Sequence, residues 1–168
     1  MDPIVSLQGR TIVVTGAGQG IGKGIVELAI ELGANVVAVD LNGQTLDAAV
    51  SPLPQARVLA VQGSVADPAV ADRAVTEAVA KFGAVHGLVN NAGIIRRADA
   101  VDFSEADWDE VMDTNLKALF FTCQAFARAA LPRGRGKIVN IASLLSFQGG
   151  IRVPSYTASK HGVAGLTK

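Results

Sequence analysis

The chain has 168 residues, a formal net charge of zero and a single cysteine. The balanced charge gives no indication of nucleic-acid binding, and one cysteine excludes both an internal disulfide and a cysteine-based metal site. Hydrophobic residues make up 49% of the chain, but no apolar run approaches the roughly twenty residues of a membrane-spanning helix. The first residues do not resemble a secretory signal, so we expect one domain, residues 1–168, of a cytoplasmic protein without a metal.

A glycine-rich turn follows the first predicted strand. Residues 10–15 are β-branched and predict a strand buried on both faces of a parallel sheet. The segment Thr15–Gly22 (TGAGQGIG) contains four glycines and leads into a helical pattern over 21–32. Glycines at this position allow a tight turn and a close approach of the backbone to a pyrophosphate, and the helix N-terminus offers N–H donors to the phosphates. The turn therefore predicts a dinucleotide-binding site rather than a simple strand–helix connection.

Asp40 ends the second predicted strand, residues 35–40. A carboxylate at that position can accept hydrogen bonds from the adenosine ribose hydroxyls and repel a 2′-phosphate. Because no Arg or Lys occurs in the glycine turn or directly after Asp40, the sequence favours NAD over NADP. The alternative is an aspartate that only begins the turn at 41–43.

Strands and helices alternate through the rest of the chain. Strands are predicted at 57–61, 86–89 and 137–142, and helices at 44–50, 67–82 and 105–130. Short connections between such elements predict an α/β fold, a Rossmann-type doubly wound parallel sheet in three layers. The last of these helices contains Asn115 on a largely apolar face, where an unpaired amide would cost roughly 1–3 kcal/mol. A structural amide and a functional amide both fit that position.

Tyr156 and Lys160 lie four residues apart near the end of the chain. In a helix they would lie one turn apart on the same face, where a fixed positive charge favours a phenolate that can exchange a proton near neutral pH. An ordinary surface pair would have the same spacing. However, loops at the carboxyl ends of parallel strands share one edge of the sheet, so we expect the glycine turn, Asp40, residues 90–93 and Ser143 to meet this pair.

These segments together resemble the short-chain dehydrogenase/reductase family. The resemblance rests on the glycine turn, Asn90–Gly93, Asn115, Ser143 and Tyr156–Lys160, which follow the family's order and approximate spacing. It implies an enzyme that acts on CH–OH groups and uses a nicotinamide cofactor for hydride transfer. In that family, Tyr156 would be the general acid/base, Ser143 would orient the substrate oxygen, Lys160 would bind the nicotinamide ribose, and Asn115 would hold a water of the proton relay. The residues expected to bind the cofactor are Gly16, Gln19, Gly20, Ile21, Gly22, Asp40, Asn91, Ala92, Gly93, Tyr156 and Lys160.

Three further segments, 90–97, 103–108 and 142–156, resemble the sugar-acid branch of that family. The implied substrate is a secondary alcohol or ketone of a sugar acid of the gluconate or 2-keto-3-deoxygluconate type. Such a substrate carries a carboxylate, which an arginine fork suits, so our hypothesis is that Arg152, or Arg96 with Arg97, binds it. The alternative is that these are surface arginines that grip neighbouring loops.

Family members are usually longer than this chain, which stops eight residues after Lys160. The resemblance therefore implies that the usual last strands of the sheet, and the loop that closes over the substrate, are missing from these 168 residues. Two interpretations follow: a segment of a longer enzyme, or a catalytically silent NAD-binding or scaffolding module whose open edge a partner covers. The resemblance also implies a homodimer or homotetramer.

Overall fold

The computed structural model describes residues 5–168 as an alternation of strands and helices. The strands are β1 (Thr11–Thr15), β2 (Asn35–Asp40), β3 (Val58–Gln62), β4 (Gly87–Asn90) and β5 (Lys137–Asn140). The helices are α1 (Gly20–Glu31), α2 (Gly43–Val50), α3 (Pro68–Phe82), α4 (Glu105–Met112), α5 (Ala118–Ala130) and α6 (Pro154–Thr167). A π-helical segment, Asp113–Lys117, joins α4 to α5, and short 3-10 turns lie at 55–57, 100–102, 131–133 and 144–146.

The five strands form one parallel sheet in the order β3-β2-β1-β4-β5. Val13 of central β1 pairs with Val37 of β2 on one side and with Leu88 of β4 on the other. β1 thus lies at the centre of the sheet, with β2 and β3 on one side of it. Helix α3 connects β3 to β4 on the other side. This topology confirms the predicted Rossmann-type doubly wound fold.

Successive residues of β1 enter different hydrophobic cores. Val13 packs in the core formed with α3 and α5, which includes Phe126, whereas Val14 packs in the core formed with α1 and α2, which includes Val26 and Leu46. Side chains alternate across a strand, so a strand covered on both faces carries apolar residues toward both faces. The β-branched sequence of β1 therefore produces the three predicted layers.

Local signals set several element boundaries. Asp67 accepts a 3.0 Å hydrogen bond from the N–H of Ala69 and begins α3, and Ser104 accepts a 3.1 Å bond from the N–H of Asp107 and begins α4. Such side-chain caps satisfy N–H groups that have no partner inside the helix. No helix in residues 5–168 is long and apolar enough to cross a membrane.

Two predicted elements differ from the structure by more than one residue at a boundary. The strand predicted over 137–142 ends at Asn140, because the chain turns there toward Ser143. The single helix predicted over 105–130 is wrong at its centre, where the N–H of Ala118 bonds to the carbonyl of Asp113, five residues back. This π-helical segment contains Asn115, and such segments often occur at functional sites.

Candidate active site

A cleft of about 720 Å³ lies at the carboxyl edge of the sheet. The loop after β1 and the segment after β2 line one part of it, and the loop after β4 and helix α6 line another. The predicted site residues among its lining are Gly16, Gln19, Ile21, Asp40, Asn91, Ala92, Gly93, Tyr156 and Lys160. The topology therefore brings together segments that are more than a hundred residues apart in sequence.

The glycine turn packs so closely that side chains are excluded at two positions. Gly16 has a positive φ of 65°, and a Cβ there would lie 2.9 Å from the Cα of Ala92. A Cβ on Gly22 would lie 1.9 Å from the carbonyl oxygen of Gly16, a distance far too short for two non-bonded atoms. The first turn of α1 therefore packs directly against the backbone that follows β1, and its N-terminus opens toward the cleft.

Hydrogen bonds join the glycine turn to the loop after β4. The Thr15 hydroxyl accepts bonds of 3.1 Å from the N–H groups of Asn91 and Ala92. In return, the Asn91 side chain donates to the carbonyls of Thr15 (3.0 Å) and Gly16 (3.1 Å). Asn91 thus holds two loops of the cleft in fixed positions. Thr15 was not among the predicted site residues, although its place at the end of β1 could have indicated it.

Asp40 begins the turn after β2, as one of the two interpretations from sequence expects, and its role toward a cofactor ribose stays a prediction. Its Oδ2 accepts a 2.8 Å hydrogen bond from the N–H of Gly18, and its Oδ1 accepts a 3.0 Å bond from the N–H of Asn42. The carboxylate therefore begins the turn after β2 and also holds the glycine turn, while it lines the cleft.

Tyr156 and Lys160 lie one turn apart on α6, as predicted. The Nζ atom of Lys160 is 5.7 Å from the centre of the Tyr156 ring. Lys160 is only 5% exposed, and its ammonium donates a 2.6 Å hydrogen bond to the carbonyl of Ile141. Burial lowers the pKa of Lys160, because removal from water disfavours its charged form. Ile141 was missed from sequence, since it contributes a backbone carbonyl that its side chain does not indicate.

Ser143 begins the 3-10 turn after β5 but is not among the residues that line the cleft. Its Oγ accepts a 3.2 Å hydrogen bond from the N–H of Leu145, and its own N–H donates to the hydroxyl of Ser146 at 3.2 Å. These two bonds fix the Ser143 backbone and occupy one acceptor site of the hydroxyl. The hydroxyl proton is not used in either bond and can donate to another oxygen.

Asn115 is 1% exposed and bonds to both backbone groups of Ile94. Its Oδ1 accepts from the Ile94 N–H at 2.8 Å, and its Nδ2 donates to the Ile94 carbonyl at 2.9 Å. A second bond from Nδ2 reaches the hydroxyl of Ser159 at 3.2 Å. Both N–H donors of the amide are thus used within the protein, so a water at this side chain would have to donate to Oδ1. Ser159 was not predicted as a site residue from the sequence.

Two of the three arginines proposed for a substrate carboxylate, Arg96 and Arg152, pair with acidic side chains of the protein. Arg96 Nη2 lies 2.7 Å from an oxygen of Glu110, and Arg152 Nε lies 3.0 Å from an oxygen of Asp99. Neither arginine is among the residues that line the cleft. The Arg152 pair joins two neighbouring loops, as the alternative interpretation expects, and the Arg96 pair joins the loop after β4 to α4. The role of the arginines toward a substrate stays a prediction.

Comparisons with known proteins agree with this geometry. The sequence model of the short chain dehydrogenase family matches residues 10–168. The chain is 46% identical to 2-dehydro-3-deoxy-D-gluconate 5-dehydrogenase of Dickeya dadantii, over 97% of this chain and 65% of that protein. It is 43% identical to gluconate 5-dehydrogenase of Gluconobacter oxydans, over 98% of this chain and 65% of that protein.

A solved structure is similar over the same part of its chain. The crystal structure of a putative 2-deoxy-D-gluconate 3-dehydrogenase from Agrobacterium tumefaciens with bound NADP is 56% identical, with a TM-score of 0.83, over 97% of this chain and 65% of that one. The chain thus spans about 65% of the length of these relatives. The resemblance inferred from the motifs is confirmed, and the chain belongs to the short-chain dehydrogenase family.

Proposed function

We propose that this chain supplies the cofactor site and the acid/base residues of a sugar-acid dehydrogenase. The reaction is hydride transfer between a nicotinamide cofactor and a secondary alcohol or ketone of a gluconate or 2-keto-3-deoxygluconate type of acid. One observation carries the proposal: Tyr156 and Lys160 line the same cleft as the glycine turn and Asp40. The substrate class rests on the names of the similar dehydrogenases.

The cleft suits a dinucleotide because the glycine turn at its edge keeps side chains away from the first turn of α1. Side chains are excluded at Gly16 and Gly22, and a Cβ on Gly20 would meet nothing within 4 Å. A pyrophosphate can therefore approach the first N–H groups of α1. We propose that the glycine turn, through Gly16, Gln19, Gly20, Ile21 and Gly22, and the loop Asn91, Ala92 and Gly93 hold the cofactor.

The proposed reaction divides the chemistry between the cofactor and the protein. A bound nicotinamide would supply the hydride acceptor or donor. Tyr156 exchanges the proton of the substrate oxygen, and the Lys160 ammonium lies beside the Tyr156 ring, 5.7 Å from its centre. Ser143 still has a hydroxyl proton to donate, so it can hold the substrate oxygen during this exchange.

NAD is the proposed cofactor, although a similar solved protein has bound NADP. Asp40 supports this proposal, because it lines the cleft and its carboxylate would repel a 2′-phosphate. The two backbone N–H groups that bond to Asp40 come from Gly18 and Asn42, and they hold the carboxylate in place without neutralising its charge.

The test is Tyr156→Phe, which removes only the reacting hydroxyl. Turnover of a sugar acid should fall by about 10²-fold or more, because the proton exchange is lost. NADH binding, followed by fluorescence titration, should stay within about threefold of the parent protein, a change of less than 1 kcal/mol. Thr157→Ser, at the next position of α6, is the control. Turnover retained by Tyr156→Phe would overturn the proposed role.

A second candidate is a catalytically silent dinucleotide-binding or scaffolding module. The observation that favours it is the 65% span of the relatives' length, since a substrate site built partly outside these residues would leave only cofactor binding here. Saturable NADH binding without turnover of any sugar acid or keto acid would support it. We also propose a cytoplasmic homodimer or homotetramer, which light scattering of the purified protein would test.

A further inference from the structure

Ser159 lies between Asn115 and the backbone of Tyr156. Its side chain is fully buried, at 0% exposure. The Ser159 hydroxyl donates a 2.8 Å hydrogen bond to the carbonyl of Tyr156 and accepts a 3.2 Å bond from Nδ2 of Asn115. Because an amide nitrogen only donates and a hydroxyl has one proton, both bonds have only this direction.

Further hydrogen bonds connect Asn115 to the loop after β4. The other two bonds of the Asn115 side chain go to the N–H and the carbonyl of Ile94, and Ile94 lines the cleft. A continuous series of hydrogen bonds therefore runs from Ile94 through Asn115 and Ser159 to Tyr156. It connects three separate segments: the loop after β4, the π-helical segment and α6.

We propose that Ser159 is a positioning residue for Tyr156. It fixes the Tyr156 backbone relative to the cleft wall at Ile94, and so fixes the direction in which the phenol enters the cleft. This inference rests on the proposed acid/base role of Tyr156. Misplacement of a reacting group by about 1 Å can cost roughly 10²-fold in rate, so a remote contact of this kind can have a large effect.

Ser155 provides a matched control on the same helix. It is also 0% exposed, one turn before Ser159, but its buried hydroxyl has no hydrogen-bond partner among the residues that the structure describes. Ser155→Ala and Ser159→Ala remove the same atom from equally buried sites. A general effect of serine loss in α6 would appear in both variants, whereas a positioning effect would appear only in Ser159→Ala.

The kinetic test measures kcat and KM for both variants. Ser159→Ala should lower kcat by roughly 10- to 100-fold with an unchanged KM for the cofactor, and Ser155→Ala should leave both constants unchanged. Asn115→Ala combined with Ser159→Ala should lower kcat by less than the product of the single effects, because both act through one series of bonds. Ser159→Cys keeps the size of the side chain and a weak donor, so it should retain more activity than Ser159→Ala.

A spectroscopic test does not depend on turnover. Tyr156 is the only tyrosine of the chain, so tyrosine labelled with ¹³C at Cζ gives one protein resonance. Ser159→Ala should shift or broaden this resonance, and Ser155→Ala should leave it unchanged. Equal spectra for all three proteins would overturn the positioning role of Ser159. Retained turnover in Tyr156→Phe would instead overturn the proposed function, so the two failures are distinguishable.

Discussion

The ammonium of Lys160 is held between the Tyr156 ring and the end of β5. It lies 5.7 Å from the ring centre and donates to the carbonyl of Ile141 at 2.6 Å. This geometry places a buried positive charge beside the Tyr156 ring at the wall of the cleft. Burial of a charged group has a cost, and the pH dependence of stability gives a way to measure it.

The stability of the chain relative to Lys160→Met should rise with pH. Burial lowers the pKa of Lys160 in the folded state, so the folded chain binds this proton less tightly than the unfolded chain does. The destabilisation caused by burying the charged Lys160 is complete below the pKa of Lys160 in the folded state. It disappears as the pH rises from that pKa to the ordinary lysine value of 10.5. Urea unfolding of both proteins between pH 7 and 10 tests this. Lys117→Met, at an exposed position, is the control, and a difference independent of pH would contradict the prediction.

Gly22→Ala should weaken cofactor binding, whereas Gly24→Ala should not. An alanine Cβ at 22 would lie 1.9 Å from the Gly16 carbonyl oxygen, so the glycine turn must change shape. At Gly24, in the same helix, a Cβ meets nothing within 4 Å, and alanine should stabilise α1 by up to about 1 kcal/mol. We expect NADH affinity to fall at least about tenfold in Gly22→Ala, a loss of about 1.4 kcal/mol. Equal NADH affinity in both variants would contradict this explanation.

Asp40→Ser should reduce the preference for NAD over NADP. The smaller hydroxyl removes the charge that would repel a 2′-phosphate, and it also weakens the bonds to Gly18 and Asn42. We expect the ratio of kcat/KM for NAD to that for NADP to fall by about tenfold or more, equivalent to about 1.4 kcal/mol. Asp47→Ser, on the exposed side of α2, is the control. A parent protein that already prefers NADP would show that Asp40 does not act as proposed.

His86 should make the fold less stable at mildly acidic pH. Its Nδ1 accepts a 3.0 Å hydrogen bond from the N–H of Thr11, and Nη2 of Arg133 lies 3.0 Å from its Nε2. Burial lowers the pKa of His86, and the charges of Arg133, Arg10 and Arg135 lower it further. As the pH falls, the His86 imidazole is therefore protonated in the unfolded chain before it is protonated in the folded chain. The free energy of unfolding should fall as the pH drops below about 6.5, until the lower pKa of His86 in the folded chain is reached.

His86→Asn tests the acid effect, because asparagine keeps an acceptor for the Thr11 N–H but does not titrate. The free energy of unfolding should fall less between pH 7.5 and 5.5 in this variant than in the parent protein. Urea unfolding midpoints of both proteins at each pH measure this difference. The chain has only one other histidine, His161, which is exposed, so His161→Asn is the matched control. If the parent protein and His86→Asn lose the same free energy of unfolding between pH 7.5 and 5.5, His86 is not the source of the acid destabilisation.

Much of the fold could be predicted because the buried strands and the helix starts carry local signals. β2 has the predicted bounds of 35–40, and α3 and α4, which Asp67 and Ser104 cap, begin within one residue of the predicted helix starts at 67 and 105. The π-helical segment could not be predicted, since one extra residue in a turn leaves the apolar pattern on each side intact. A pattern of period 3.6 therefore continues across Asn115 without a visible break.

The site was predicted less completely than the fold. Residues that act through a recognisable side chain and motif, such as Tyr156 and Lys160, were placed together at the cleft. Ile141 was missed because it contributes only a carbonyl, and Ser159 because its two hydrogen bonds depend on how α6 packs against the π-helical segment. The pairing of Arg152 with Asp99 is also a tertiary contact without a local signal.

Strand β5 has a consequence for the behaviour of these 168 residues in solution. It pairs with β4 on one side, and no strand pairs with its other side within residues 5–168. Ile138 and Val139 are 39% and 51% exposed there. An accessible strand with apolar side chains and unpaired peptide groups is a template for another extended chain. Self-association should therefore increase with protein concentration, and a charged residue in place of Val139 is the change best suited to suppress aggregation.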